Sequence, residues 1–184
     1  MINIILAGNI AAEAAHRLIQ NEKPALSCRF SDRFIRLTDE MTGKLKVSRD
    51  SIMESIASSG IEILDDDIME LSDMGIFGGL WQFLEKSGNG AEIVLDKIPV
   101  RQEIIEICEQ LDVNPYTHPS QGSWLIRSDK AYELSDYLNM KGIPASIIGS
   151  ENNTKDRVII NQDEVRYLTP ISRLLSDEQG KGKR

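Results

Sequence analysis

The sequence predicts a domain in which helices pack on a mixed β-sheet. Three observations carry that reading. Residues 91–148 alternate strand, helix, strand, helix, strand by apolar period. A hairpin signal, "RVIIN-QDE-VRYL", follows them. The chain opens on an Ile-rich stretch, "INIILAG", that alternates poorly and so suits a buried strand. Alternation of this kind excludes an all-α or all-β domain.

The elements follow in order. Ile2–Gly8 is the first strand. Asn9 is placed to cap a helix over "IAAEAAHRLIQNE", and Pro24 to close it. "SDRFIRLTDEM" and "SRDSIMESIASSG" each open on a serine suited to an N-cap, and Gly60 is a stop for the second. "IEILDD" (61–66) reads as a strand, with Ile61, Ile63 and Asp65 on one face. A loop leads to a helix over "GIFGGLWQFLEKS", ended by Gly88 and striped by Phe77, Leu80, Trp81 and Leu84. "AEIVLDKI" is a strand, and "RQEIIEICEQLD" is a helix burying Ile104, Ile107, Cys108 and Leu111. A loop through "NPYTHPSQGS" precedes the strand "SWLIRS". Ser128 or Asp129 can cap the helix "KAYELSDYLNMK", which Gly142 ends before the strand "IPASIIGS".

Composition bounds the function. With 184 residues the chain suits one domain, expected over 1–175, with a helical opening at 9–59 and a core at 60–170. Residues 176–184, polar and glycine-bearing, read as a disordered tail. The net charge of −8 and the lack of a basic cluster before the tail argue against nucleic acid and against a membrane surface. No apolar run approaches the roughly 20 residues that span a bilayer. The opening lacks the basic n-region of a signal peptide, so a cytoplasmic protein is expected. Two cysteines and two histidines exclude a disulfide scaffold and a histidine-rich metal centre.

Several residues could carry chemistry. Asp65, Asp66 and Asp67 suit Mg²⁺, but neighbouring strand residues point to opposite faces, so a solvated acidic turn is the competing reading. Gly75, Gly78 and Gly79 stand at a helix start, where free N–H groups attract anions and where glycine also permits tight packing. Ser120, Gly122 and Ser123 could cradle a phosphate or simply make a turn. His118 has no partner at a diagnostic spacing, and Cys108 lies on an apolar helix face.

From Gly60 to Ile159 the sequence resembles the C-terminal domain of the aminoimidazole ribonucleotide synthetase-like superfamily, in particular its HypE-like group. "GIFGGLWQFLEKSGNGAEIVLDKIPVRQEIIEICEQLDVNPY" follows the family's run of Gly-Gly, Leu-Trp, Ser-Gly, Ile-Pro-Val-Arg, Ile-Cys and Asn-Pro-Tyr almost end to end. "PSQGSWLI", "KGIPASIIGS" and "RVIIN" fit its later strands, and residues 2–59 fit more loosely. The resemblance implies an α+β, PurM C-terminal domain-like fold: three layers, α/β/α, around a mostly antiparallel or mixed sheet that is partly ferredoxin-like. Full-length members join this domain to an N-terminal domain that forms the dimer barrel and carries most ATP and Mg²⁺ ligands; here that domain is expected to be absent.

The resemblance also implies a phosphate-facing loop of the form Asp-x-Thr-x-Gly-Gly. Anchored on the strand "IEILDD", its acid is Asp66 and its last glycine Gly75; anchored on the helix alone, the acid is Asp73. Gly122 and Ser123 would complete the nucleotide-facing set. Asp65, Asp67 and Asp73 are the candidate cation ligands, with Mg²⁺ and ATP bound only if a partner completes the cleft. The HypE-type factor ends in a carbamoyl-accepting cysteine, whereas this sequence ends "GKGKR", so that chemistry is not expected. The expected function is a non-catalytic binding, regulatory or assembly module; the alternative is the C-terminal half of a split ATP-dependent enzyme. The expected partner is a second copy or a separate N-terminal-type domain.

Overall fold

The computed structural model describes residues 1–170. Strand β1 (Asn3–Ala7) runs through the middle of the sheet. Ile4 and Leu6 point to one core and Ile5 and Ala7 to the other, all fully buried. Burial on both faces is why this strand reads as a continuous apolar run rather than an alternating one.

Four helices follow: α1 (Ala12–Asn21), α2 (Lys23–Ser27), α3 (Asp32–Thr42) and α4 (Arg49–Ser59). Ser31 and Ser48 cap α3 and α4 as predicted, accepting the N–H groups of Phe34 and Ser51. Gly60 ends α4 at φ +71°. Two expectations fail here. Asn9 does not cap α1; Ala11 takes the cap position at φ 55°. Pro24 lies in the first turn of α2, where a missing N–H leaves no bond unmade.

The strand expected at 61–66 is displaced. Ile61 and Ile63 pack against the core beside α4, but Asp65–Asp67 form a 3₁₀ turn and strand β2 spans Ile68–Glu70. Arg127 supplies the reason. Its guanidinium bonds the Asp67 carboxylate at 2.7 Å and the Asp66 carbonyl at 3.1 Å, which curls the chain before the ladder begins.

The remaining elements match their predicted order: α5 (Gly75–Ser87), β3 (Gly90–Val94), α6 (Gln102–Gln110), β4 (Trp124–Ser128), α7 (Ala131–Met140), β5 (Ala145–Asn152), β6 (Arg157–Asn161) and β7 (Glu164–Tyr167). Neither Ser128 nor Asp129 caps the first turn of α7; Ser128 instead accepts the Lys130 N–H in the turn before it.

The sheet order is β2-β4-β1-β5-β3-β6-β7. Every neighbouring pair is antiparallel except β3 and β6. Helix α5 covers one face through Ile76, Leu80, Phe83 and Leu84. Helices α4 and α7 cover the other through Ile52, Ile56, Leu134 and Leu138. This is the three-layer α/β/α arrangement. A further helical group joins α1 to α6 through Ala11, Ala15, Ile104 and Cys108. The tail at 176–184 lies outside the described residues.

Arg127 is nearly buried and also bonds Glu151 of β5 at 3.1 Å, while its guanidinium carbon stands 5.0 Å from the Phe83 ring centroid. Arg127→Ala leaves the Glu151 carboxylate without a counter-charge, with only the Asn89 amide donating to it. Denaturant unfolding is expected to show a loss of about 3–5 kcal/mol.

Candidate functional site

One end of the sheet gathers the loop residues that the sequence singled out. The loop 117–123 meets the N-terminus of α1, the end of β2 and the segment at Lys46. Ser120 Oγ accepts the Ala11 N–H at 2.9 Å, and the Pro119 carbonyl accepts that of Ala14 at 3.3 Å. These groups cap α1, a distant substitute for the predicted Asn9. Ser123 Oγ donates to the Asn9 carbonyl at 2.8 Å. Both serines are buried, so their hydroxyls serve the fold.

Gly122 has φ +82°, and a Cβ there would stand 2.7 Å from Lys46 Cβ. Its carbonyl accepts the Val47 N–H at 2.9 Å. Its own N–H donates to Glu70 Oε1 at 2.9 Å. A carboxylate of this chain thus sits on the donor that a phosphate would use. Gly75 is equally enclosed. At φ +63°, an added Cβ would lie 2.6 Å from the Tyr116 carbonyl oxygen. That carbonyl accepts the Phe77 N–H at 3.2 Å, filling a free donor at the start of α5. Gly79 has a different reason: a Cβ would strike the buried Leu71 side chain, so it serves packing.

Charges surround these contacts. Glu13, nearly buried, pairs with Lys46 and, at 2.7 Å, with Arg17. Gln121 donates to Asp73 at 2.6 Å, and Arg17 Nη1 stands 4.0 Å from the same carboxylate. The Lys46 ammonium chiefly lowers the Glu13 carboxyl below its ordinary 4.5, against the opposing effect of burial and with help from Arg17.

The predicted residues therefore divide. Gly75, Gly122 and Ser123 come together around the loop 117–123. Asp66 does not; it belongs to the acidic turn held by Arg127, apart from the approach to α5. The acid at the strand end before α5 is Glu70; the sequence reading ended the strand at 66, four residues early, and so anchored the loop on Asp66. Asp65, Asp67 and Asp73 do not converge: Asp67 is paired with Arg127 and Asp73 with Gln121. Among the described residues no group of three or more His, Cys, Asp or Glu side chains is disposed to hold a metal ion. His118 Nδ1 lies 3.0 Å from the Asn114 carbonyl and 3.4 Å from the Thr117 hydroxyl, which itself bonds the same carbonyl. Burial pushes the Cys108 thiol up to about 11.

A second concavity, of about 280 Å³, lies between Phe77, Tyr116, Leu95, Ile159, Arg166 and Tyr167. The Phe77 and Tyr116 rings stack on one wall at 5.3 Å. Burial, then the Asp96 charge, raises the Tyr116 hydroxyl above its ordinary value. Among the described residues no helix is long and apolar enough to cross a membrane.

Two measurements check this picture. Folding depresses the Glu13 pKa, so its stabilisation is complete above about pH 4.5 and is lost as acid protonates the folded carboxylate. Glu13→Gln is expected to flatten the fall of stability below that pH in acid-titrated thermal unfolding. In thiol labelling, Cys28, which is exposed, reacts in the native protein, whereas Cys108 reacts only on unfolding.

No family model matches the sequence, and no curated protein matches it. Solved structures do. The hydrogenase maturation protein HypE of E. coli superposes with a TM-score of 0.71 at 16% identity, over 91% of this chain and 49% of that one. Thiamine monophosphate kinase from Aquifex aeolicus gives 0.58 at 16% identity, over 89% and 50%. T. maritima PurL gives 0.57 at 12% identity, over 94% and 25%. The chain spans half or less of the length of each of these proteins. Shared layers and order at such low identity establish architecture: the fold of this chain is the one found in HypE, thiamine monophosphate kinase and PurL.

Proposed function

We propose that this chain is a binding and assembly module built on an ATP-binding fold, and that it does not turn over ATP alone. The observation that carries this reading is the Glu70 carboxylate on the Gly122 N–H. Glu70-Leu71-Ser72-Asp73-Met74-Gly75 fills the six positions of the Asp-x-Thr-x-Gly-Gly loop when the strand is taken to end at Glu70. A longer acid, a serine and a methionine replace three of its defining residues. The longer glutamate reaches across and occupies the amide. The Tyr116 carbonyl does the same at α5, and Glu13 neutralises Lys46 and Arg17. With its donors and cations already partnered, this surface offers a polyphosphate little and presents it with the charges of Glu70 and Asp73.

A second reading has its own support. HypE has been solved in complex with ATP, and a thiamine monophosphate kinase with AMPPCP and TMP, and this chain spans about half of each. On that reading the chain is the C-terminal half of a split enzyme. A separate nucleotide-binding domain supplies the Mg²⁺ and ATP ligands, and the surface of Glu70, Gly75, Gly122 and Ser123 faces it.

Calorimetric titration separates the two. The chain alone is expected to give no saturable heat with Mg²⁺–ATP beyond the Mg²⁺ control; saturable binding and turnover would overturn the first reading. ATPase activity found only on mixing with a nucleotide-binding domain would establish the second. Glu70→Ala exposes the Gly122 amide, and the loss of a charge-assisted bond is expected to lower stability by about 1.5–3 kcal/mol.

A further inference from the structure

We propose that the outer edge of β7 pairs with β7 of a second copy of this chain, antiparallel, across a two-fold axis at Val165. This surface lies at the end of the sheet opposite β2, and the proposal is independent of the reading of the phosphate-facing loop.

The edge is open and correctly oriented. All four residues of β7 are exposed, and its outer side has no strand partner among the described residues. Asn161 and Glu164 flank the two-residue turn and pair with each other. In such a hairpin the flanking residues exchange their N–H and C=O groups, and the exchange recurs at every second residue. The Leu168 N–H donating to the Arg157 carbonyl at 2.8 Å confirms that phase. The backbone groups of Glu164 and Arg166 therefore face β6, and those of Val165 and Tyr167 face outward. A two-fold axis at Val165 lets each Val165 exchange both bonds with the partner's Val165.

The side chains fit the same axis. Glu164 comes to lie opposite the partner's Arg166, and Arg166 opposite the partner's Glu164. Within one chain these two already form an exposed ion pair, so both are charged and close to the edge. On the other face Val165 meets the partner's Val165, and Tyr167 lies diagonal to it. Val165 and Tyr167 are 62% and 71% exposed, apolar surface that such pairing covers. The opposite edge of the sheet is fenced against self-pairing. β2 has three residues, ends in Glu70 and follows Asp65–Asp67, so a second copy would meet like charge. β7 carries one charge of each sign, and the axis sets the turn's Asp163 opposite the partner's Tyr167 rather than opposite another acid, so a chain of net charge −8 can approach itself there.

Sedimentation velocity of the full chain, without nucleotide and across a hundredfold concentration range, tests the proposal. The wild type is expected to shift from monomer to a species of twice the mass. Val165→Pro removes the outward N–H while sparing the bonds to β6, and is expected to stay monomeric. Glu164→Arg and Arg166→Glu each place like charges opposite one another and are expected to be monomeric alone; mixed in equal amounts they are expected to recover the doubled mass. A wild type that remains monomeric throughout would overturn the proposal. So would a dimer that persists in Val165→Pro and in both charge variants, or a mixture that fails to reassociate. The charge variants decide the matter even if the proline variant does not fold.

Discussion

A nearly buried guanidinium organises the middle of this structure. Arg127 projects from β4, reaches Asp67 and the Asp66 carbonyl on one side and Glu151 of β5 on the other, and lies near the Phe83 ring. A charge so removed from water is tolerated only when its donors are met by good acceptors. Meeting them has consequences along the chain. It folds the acidic run into a 3₁₀ turn, starts β2 at Ile68, and so decides that Glu70 is the residue leading into the loop before α5. Of three consecutive aspartates that look like a cation site, Asp67 holds Arg127 through its carboxylate and Asp66 through its backbone carbonyl.

From that placement follows the character of the loop cluster. A fold used by ATP-binding proteins leaves amide donors at helix starts and in glycine turns, and each must find an acceptor. Here the chain supplies its own: Glu70 for Gly122, the Tyr116 carbonyl for Phe77, Ser120 and Pro119 for the start of α1. The cations are balanced in the same way by Glu13 and Asp73. Internal satisfaction of this kind leaves the amide donors of this surface engaged within the chain.

The two ends of the sheet differ accordingly. At one end side chains and loops close over β2, β4 and α1 through buried serines and paired charges. At the other, β7 forms the edge, with exposed valine and tyrosine and a neutral pair of charges. An antiparallel edge keeps half its backbone groups turned outward whatever its side chains are.

Much of the fold was legible in the sequence because it rests on local periodicity. The serine caps of α3 and α4, the glycine stops at Gly60, Gly88 and Gly142, the stripe of α5 and the closing hairpin all depend on residues within a few positions of one another. Even the family resemblance rests on such an ordered run. The site was legible in part: Gly75, Gly122 and Ser123 do meet, but Asp66 stands elsewhere and Glu70 takes its expected place. Counting five positions back from Gly75 would have found Glu70, had "IEILDD" not looked so much like a strand. What tertiary structure alone decided was where long-range partners override local preference. Ser120 caps α1 from 109 residues away, and Arg127 bonds the Asp67 side chain across 60. Buried donors and charges must be satisfied wherever an acceptor lies in space, and the order of residues along the chain carries no record of that distance.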